Sequence, residues 1–267
     1  IDEPFPSLFN QGMLHGADGF VMSKSRGNVI NPIEMIDKYS ADILRFYLVS
    51  VASPDKDFAW SDEGIDGTAK FIRKVVDYFE TVKKGKSSEK SESKINSGIK
   101  EISGAIEKFE YNIAVIKIRR LLESLQPEES RETLESFIRL FAPFCPHIAE
   151  ELFAELGNKG FVSNSGWPKA DEKKINPKFE EEEKALDKLV EDINNVVKMV
   201  KSKGLQPKKV FLYCIPPEKN VLQENLPSIA LKTGLEAKAF AVNDKEKYDP
   251  QNKAGKAKPL KPAIFLE

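Results

Sequence analysis

The chain has 267 residues, enough for a packed core and for two or three domains, and its 41 Lys and Arg against 42 Asp and Glu leave a net charge of −1. That balance argues neither for nor against a nucleic-acid partner, so any such site has to be local. Two distant Cys, Cys145 and Cys214, and two His argue against a disulfide scaffold and a metal site, no apolar run is long enough to span a membrane, and a reducing, cytoplasmic setting is expected.

Pro4, Phe5, Pro6, Leu8 and Phe9 predict an extended start with a short helical turn. Two short apolar runs, 11–14 and 19–22, flank Ala17-Asp18-Gly19, which is a hairpin signal. Then comes Met22-Ser23-Lys24-Ser25-Arg26-Gly27-Asn28, small, polar and cationic, with Gly where a turn needs one. A mobile Lys, a directed Arg and two hydroxyls suit the grip of a polyphosphate. A plain solvated loop has the same composition.

Asn31-Pro32-Ile33-Glu34 predicts a helix with Asn31 as its cap. Ser40 caps a second helix, apolar almost all round, whose one cation, Arg45, is expected to pack its stem. Residues 53–60 read as a loop. Ser61 then caps a long helix striped by Ile65, Ile72, Val76 and Phe79. Residues 83–93, rich in Lys, Ser and Glu, read as a disordered or solvated spacer. Three more helices follow: one with Ile95, Ile99, Ile102, Ile106 and Phe109 inside, one restarting at Asn112, and one opened by Pro127-Glu128-Glu129. A last short helix runs from Pro146 to Gly157. Residues 61–157 thus predict an antiparallel helical bundle.

Residues 158–178 read as a linker. A long helix begins near Glu180 and stops at Gly204. After it the period changes. Strand-like runs at 210–215, 237–242 and 262–266, with a helix over 220–233 between the first two, predict a small mixed α/β module over 179–267. The fold class is therefore mostly α with a small α/β end.

The ordered series Met-Ser-Lys-Ser-x-Gly-Asn-Val, Asn-Pro and Tyr-x-Ala-Asp-x-Leu-Arg resembles the KMSKS signature region of class I aminoacyl-tRNA synthetases. The run from Ser53 to Gly64, the element Phe-Glu-Tyr-Asn-Ile-Ala at 109–114, the helix at 140–152 and Trp167-Pro168 extend the likeness to the leucyl-tRNA synthetases. Residues 179–267 resemble, more weakly, the C-terminal domain of archaeal-type members. Valyl, isoleucyl and methionyl enzymes share the loop and bundle, so they are the alternatives, with a non-catalytic tRNA-binding subunit of a split synthetase.

The resemblance implies that residues 1–60 close a catalytic domain and that 61–157 form the anticodon-binding bundle. It implies ATP as co-substrate, with magnesium as its counter-ion, and tRNA as partner, met through its long variable arm. The nucleotide-binding half is expected before Ile1, which leaves the isolated chain inactive as a ligase. Lys24 is expected to meet phosphate oxygens, with Ser23 and Ser25 holding the loop and Met22 anchoring it. The family's first signature Lys is Val21 here, and Arg26 is a partial substitute. Candidate tRNA phosphate contacts are Arg73, Lys74, Lys117, Arg119 and Arg120 on the bundle, and Lys208, Lys209, Lys253, Lys256 and Lys258 in the last module. Phe211 and Tyr213 are expected in a strand core rather than stacked on bases, and His147 is expected to cap or pack rather than to catalyse.

Overall fold

The computed structural model describes residues 4–267, so Ile1, Asp2 and Glu3, with which the extended start was expected to begin, lie outside the described residues. The chain divides into two compact units, Ile1–Asn176 and Pro177–Glu267.

The first unit opens without the expected helical turn, since residues 4–13 form no helix. Strand β1 (Leu14–His15) lies parallel to β2 (Phe58–Ala59). The predicted hairpin is a tight reversal. Gly16 N–H reaches Phe20 O at 2.8 Å, Met22 N–H reaches Leu14 O at 3.0 Å, and one antiparallel bridge joins His15 to Val21. The second arm is therefore one bridge, and the rigid base comes from β2. Helix α1 (Pro32–Tyr39) starts as predicted, with Asn31 Oδ1 accepting from Ile33 N–H.

Helix α2 (Ala41–Val51) is capped by Ser40, whose Oγ accepts from Ile43 N–H at 3.3 Å. Ser40 sits at φ 118°, ψ 160°, a conformation that a side chain makes costly. Gly at an N-cap gives up only a few tenths of a kcal/mol against Ser, while the strained backbone costs one or more. Ser40→Gly is therefore expected to stabilise the first unit by about 1 kcal/mol in urea unfolding. A destabilised variant would show that the hydroxyl cap outweighs the strain.

The bundle follows as α3 (Asp62–Thr81), α4 (Glu89–Glu107), α5 (Tyr111–Ser124), α6 (Arg131–Phe141) and α7 (Pro146–Glu155). The apolar stripes meet in one core around Ile72, Val75, Ile102, Ile118, Phe137 and Phe141. Phe46 of α2 enters that core, so the segment after the signature loop is packed into the bundle. Phe109 does not belong to the stripe. It stands half exposed at φ 60° and stacks on Phe9 at 5.1 Å.

Residues 83–93 are not a spacer. Strand β3 (Lys83–Lys84) pairs with β4 (Glu128–Glu129), and Ser88 caps α4. Ser87, Ser91 and Ser93 are buried. Ser87 Oγ donates to the buried Glu129 Oε2 at 2.5 Å, accepts from Ser130 N–H at 2.9 Å and lies 2.8 Å from Thr133 Oγ1. Small hydroxyls can enter a core when every polar atom finds a partner. The same network explains why Pro127-Glu128-Glu129 opens no helix. Glu129 is needed as an acceptor, and Ser130 caps α6 instead. The segment 158–176 also packs on the bundle rather than linking. Val162 is buried, Trp167 Nε1–H donates to Ser103 Oγ at 2.7 Å, and Asp171 N–H donates to Asn96 Oδ1 at 2.7 Å.

The second unit holds α8 (Pro177–Lys201), β5 (Lys209–Cys214), α9 (Lys219–Glu224), α10 (Leu226–Thr233), β6 (Glu236–Ala241) and β7 (Ala263–Leu266). The single expected helix over 220–233 is two helices, with Pro227 at the start of the second. Strand β5 is central, parallel to β6 and antiparallel to β7. Its alternation separates two cores. Val210, Leu212 and Cys214 face the helices with Leu189 and Ile193, while Phe211 and Tyr213 face Phe265 and Ala254 on the other side.

Candidate functional site

The signature loop is assembled on the β1–β2 base. The run from Ser53 to Gly64 backs it. Pro54 O accepts from Gly12 N–H, Asp57 Oδ1 from Met13 N–H at 2.7 Å, and His15 O from Trp60 N–H at 2.9 Å. Tyr47 Oη accepts from Ser61 N–H, and the Tyr47 ring meets Trp60 edge to face at 5.0 Å. Met22, Ile30 and Met35 close over Leu44, Tyr47, Trp60 and Ile65. Met22 is thus partly buried against this small apolar cluster.

From that anchor the chain makes one 3-10 turn, Lys24–Arg26. Gly27 ends it in the left-handed region at φ 68°, its N–H on Lys24 O at 3.2 Å. Lys24 is exposed, and among the described residues its ammonium holds no carboxylate. Ser23 and Ser25 stand side by side with hydroxyls 3.3 Å apart. The run 22–27 contains no acid, so two cations, Lys24 and Arg26, and two hydroxyls are offered together on a short exposed turn. That donor set fits phosphate oxygens. Arg26 is exposed as well, and its guanidinium lies 4.3 Å from the centre of the Phe20 ring.

Two side chains outside the residues singled out from sequence hold this turn. Asn28 accepts from Ser23 N–H at 2.9 Å through Oδ1, and its amide reaches both carboxylate oxygens of Asp18 at 3.1 Å. Asp18 also accepts from Phe20 N–H at 3.1 Å. The Asn28 amide first, then the Phe20 N–H, hold the Asp18 carboxyl below its ordinary range. The signals were the Asp-Gly and Gly-Asn pairs. Each reads as a turn residue, and nothing in the sequence says that they meet across ten positions.

The basic candidates on the bundle fall into separate environments. Arg73, Lys74 and Arg120 are exposed. Lys117 pairs with Glu101 at 2.5 Å. Arg119 turns inward, 4.4 Å from the Phe71 ring centre and 5.3 Å from that of Phe46, and burial lowers its pKa against the pull of Glu123. Arg119 therefore serves packing between α2, α3 and α5. Arg45 is likewise structural, donating to Pro143 O at 3.1 Å. His147 is exposed, and its Nδ1–H donates to the buried Asp42 carboxylate at 2.8 Å.

In the second unit Lys208 precedes β5 and Lys209 opens it, both backbone N–H groups donating to Glu267 O. The run holding Lys253, Lys256 and Lys258 is an ordered turn rather than a loose one. Asp249 accepts from the N–H groups of Lys253 and Ala254, and Lys258 pairs with Lys261. Lys256 and Lys258 are exposed and Lys253 is half-buried. Phe211 and Tyr213 are 4% and 0% exposed, so they are core and cannot stack on a base. Among the described residues no group of His, Cys, Asp and Glu could hold a metal ion, and no helix is long and apolar enough to cross a membrane.

Comparison with known proteins places relatives beside this geometry. The family model of class I tRNA synthetases for isoleucine, leucine, methionine and valine matches residues 1–61, and that of the anticodon-binding domain of tRNA ligases matches residues 89–212. The leucine–tRNA ligase of Thermotoga petrophila is 39% identical across 66% of this chain and 24% of its own length. That of a Geobacter species is 36% identical across 63% and 23%. The chain thus spans about a quarter of the length of the curated relatives it matches. A crystal structure of the ternary complex of Agrobacterium radiobacter LeuRS, tRNA and LeuAMS has the same fold, with a TM-score of 0.59 and 21% identity over 90% of this chain and 33% of that one. The likeness of the last module to an archaeal-type domain rests on sequence resemblance alone.

Proposed function

We propose, from the premise that this chain belongs to the class I tRNA synthetases and is homologous to the leucine–tRNA ligases, that it supplies the phosphate-gripping loop and the tRNA-holding part of leucine ligation. The observation that carries this is the exposed, unpaired Lys24 on a turn pinned at both ends. In the first step of such a reaction the leucine carboxylate attacks the α-phosphate of ATP, and pyrophosphate leaves. Negative charge grows on the oxygens between the α- and β-phosphates. A cation that meets them most strongly in the transition state lowers the barrier rather than merely binding ATP. Lys24 takes that role. Ser23 and Ser25 hold the turn and donate to phosphate, and Met22 fixes its root. With Val21 at the first signature position, Lys24 carries most of this charge within the loop, and Arg26, which lies over the Phe20 ring, is a partial substitute.

The tRNA part rests on the helical bundle and the second unit. Arg73, Lys74 and Arg120 are the bundle's phosphate contacts. Lys208, Lys209, Lys253, Lys256 and Lys258 are those of the second unit, which reaches the long variable arm of a leucine tRNA. Lys117 and Arg119 are left out of this set because a carboxylate and two aromatic rings already occupy them. Residues 1–60 then belong to the catalytic domain, 61–157 to the bundle and 179–267 to the tRNA-binding module. The chain contains no second phosphate-binding loop, so by itself it does not activate leucine. The test is substitution of Lys24 in an intact ligase carrying this segment, with adenylate formation and tRNA affinity measured side by side.

A further inference from the structure

We infer that Asn28 is a positioning residue of this reaction: clasped to Asp18 on one side and to the Ser23 backbone on the other, it latches the phosphate-gripping turn so that Lys24 is presented in one place. The inference deepens the reading of Lys24 as the phosphate cation and rests on it.

The clasp closes a ring of six residues. Ser23 N–H and the Asn28 side chain are its two ends, and Lys24 is one position inside. The Asn28 amide carries two hydrogens and faces four acceptors, the two Asp18 oxygens at 3.1 Å, Phe20 O at 3.3 Å and Val21 O at 3.4 Å. It therefore ties the chain entering the turn to the chain leaving it. The surroundings are tight. A Cβ on Gly16 would come within 2.8 Å of Asp18 Oδ1 and 3.2 Å of Asn28 Nδ2, so a side chain there would push on the latch. His15 Nδ1–H holds the same reversal through Gly19 O at 2.8 Å.

This cluster lies on an exposed turn and roofs no apolar core: Asp18 is exposed and Asn28 half-buried. Its consequence is geometric. A preorganised cation stabilises a transition state because its position is settled before charge develops. A loosened ring leaves Lys24 able to bind ATP but seldom in place. Opposite the Asp18 carboxylate, the residue at 28 has to be neutral. It donates to Asp18 and accepts from Ser23 at once, which an amide does and a carboxylate does not.

The experiment is a charge exchange in the intact ligase, read by leucine-dependent ATP–pyrophosphate exchange. Asn28→Asp sets two carboxylates against each other, and Asn28→Ala removes the clasp without adding charge. Both are expected to lower kcat by about tenfold to a hundredfold, with the KM for ATP moved by less than about threefold. Activity of Asn28→Asp should recover toward acid pH, where one proton can be shared between positions 18 and 28. Asp18→Asn combined with Asn28→Asp restores the side-chain donor–acceptor pair, though not the donation to Phe20 O and Val21 O, and should regain part of the loss. In the 267-residue chain itself, the Ser23 amide should exchange with solvent about tenfold faster in Asn28→Ala. Activity of both single variants within twofold of the parent, a loss confined to KM, or a double variant no better than Asn28→Asp overturns the latch. Lys24→Ala separates the two levels. If it is impaired while Asn28→Asp is not, only the latch fails; if Lys24→Ala is unimpaired, the phosphate reading fails with it.

Discussion

Lys24→Ala in the intact ligase is expected to slow leucine-dependent ATP–pyrophosphate exchange by roughly a hundredfold to a thousandfold, the loss typical of one preorganised transition-state contact. The effect should lie in kcat more than in the KM for ATP. A contact made most strongly as charge develops adds to the rate and adds little to ground-state binding. Affinity for tRNA should change by less than about threefold, since one phosphate contact in a surface of many carries little of the total. The magnitude expected here is large because the loop offers no second Lys. Position 21 is Val, its backbone held in the bridge to His15. The Arg26 guanidinium lies over Phe20. Lys24→Arg should recover only part of the rate, because a planar fork does not occupy the place of a compact ammonium. Comparable losses in adenylate formation and tRNA binding would count against the assignment.

Asp42→Ala is expected to give the largest loss of stability, about 3 kcal/mol in the first unit. Asp42 lies in the first turn of α2 and is only 2% exposed. Helix α7 begins at Pro146, and Cys145 before it makes no side-chain cap. Asp42 supplies the cap from another helix: Oδ2 accepts from Ile148 N–H at 2.8 Å and Oδ1 from His147 Nδ1–H at 2.8 Å. One carboxylate thus lies at two helix N-termini, where the aligned peptide dipoles favour negative charge. Removing it strips both of that charge and leaves the Ile148 N–H without a partner. Hydrogen bonds to a charged group contribute about 1.5–3 kcal/mol each, and losing the buried acceptor adds a desolvation penalty. Asp42→Asn keeps an acceptor for Ile148 N–H and should cost about half as much. Urea unfolding followed through the first unit would show the midpoint falling with the slope unchanged. A shift within about 0.5 kcal/mol, the ordinary range of surface substitutions, would mean that packing alone joins α2 to α7.

Much of this architecture was legible because it obeys local rules. The cap at Asn31 and the strand-like apolar run of β5 follow from neighbours within a few positions, while the stripe of α3 was legible only in part, with Ile65 and Ile72 buried as read but Phe71 and Val75 in the core in place of Val76. The exposed turn at Lys24–Arg26 was legible for a related reason, since a small polar run ending in Gly between apolar segments reads as a tight loop. What escaped depends on pairs distant in sequence. Ser87 looked like part of a solvated spacer because Glu129, 42 residues on, supplies the acceptor that lets it be buried. Asp18 and Asn28 looked like two separate turns. Arg119 is a different case, because helix spacing alone held the answer. It stands four residues after Val115 and three before Leu122, both buried, whereas Arg120 follows the exposed Ile116. Ser40 shows the limit from the other side. Its capping role was visible, and the backbone angle that makes its Cβ costly was not.

The most direct measurement of the central claim is equilibrium binding of the 267-residue chain to a leucine tRNA with and without its long variable arm, across a salt series. The account predicts that removing the arm weakens binding at least tenfold and flattens the dependence on salt, because phosphate contacts are lost with it. Equal weak binding to both tRNAs, with the same salt slope, would contradict it, leaving the basic side chains of the second unit with only generic contacts to RNA.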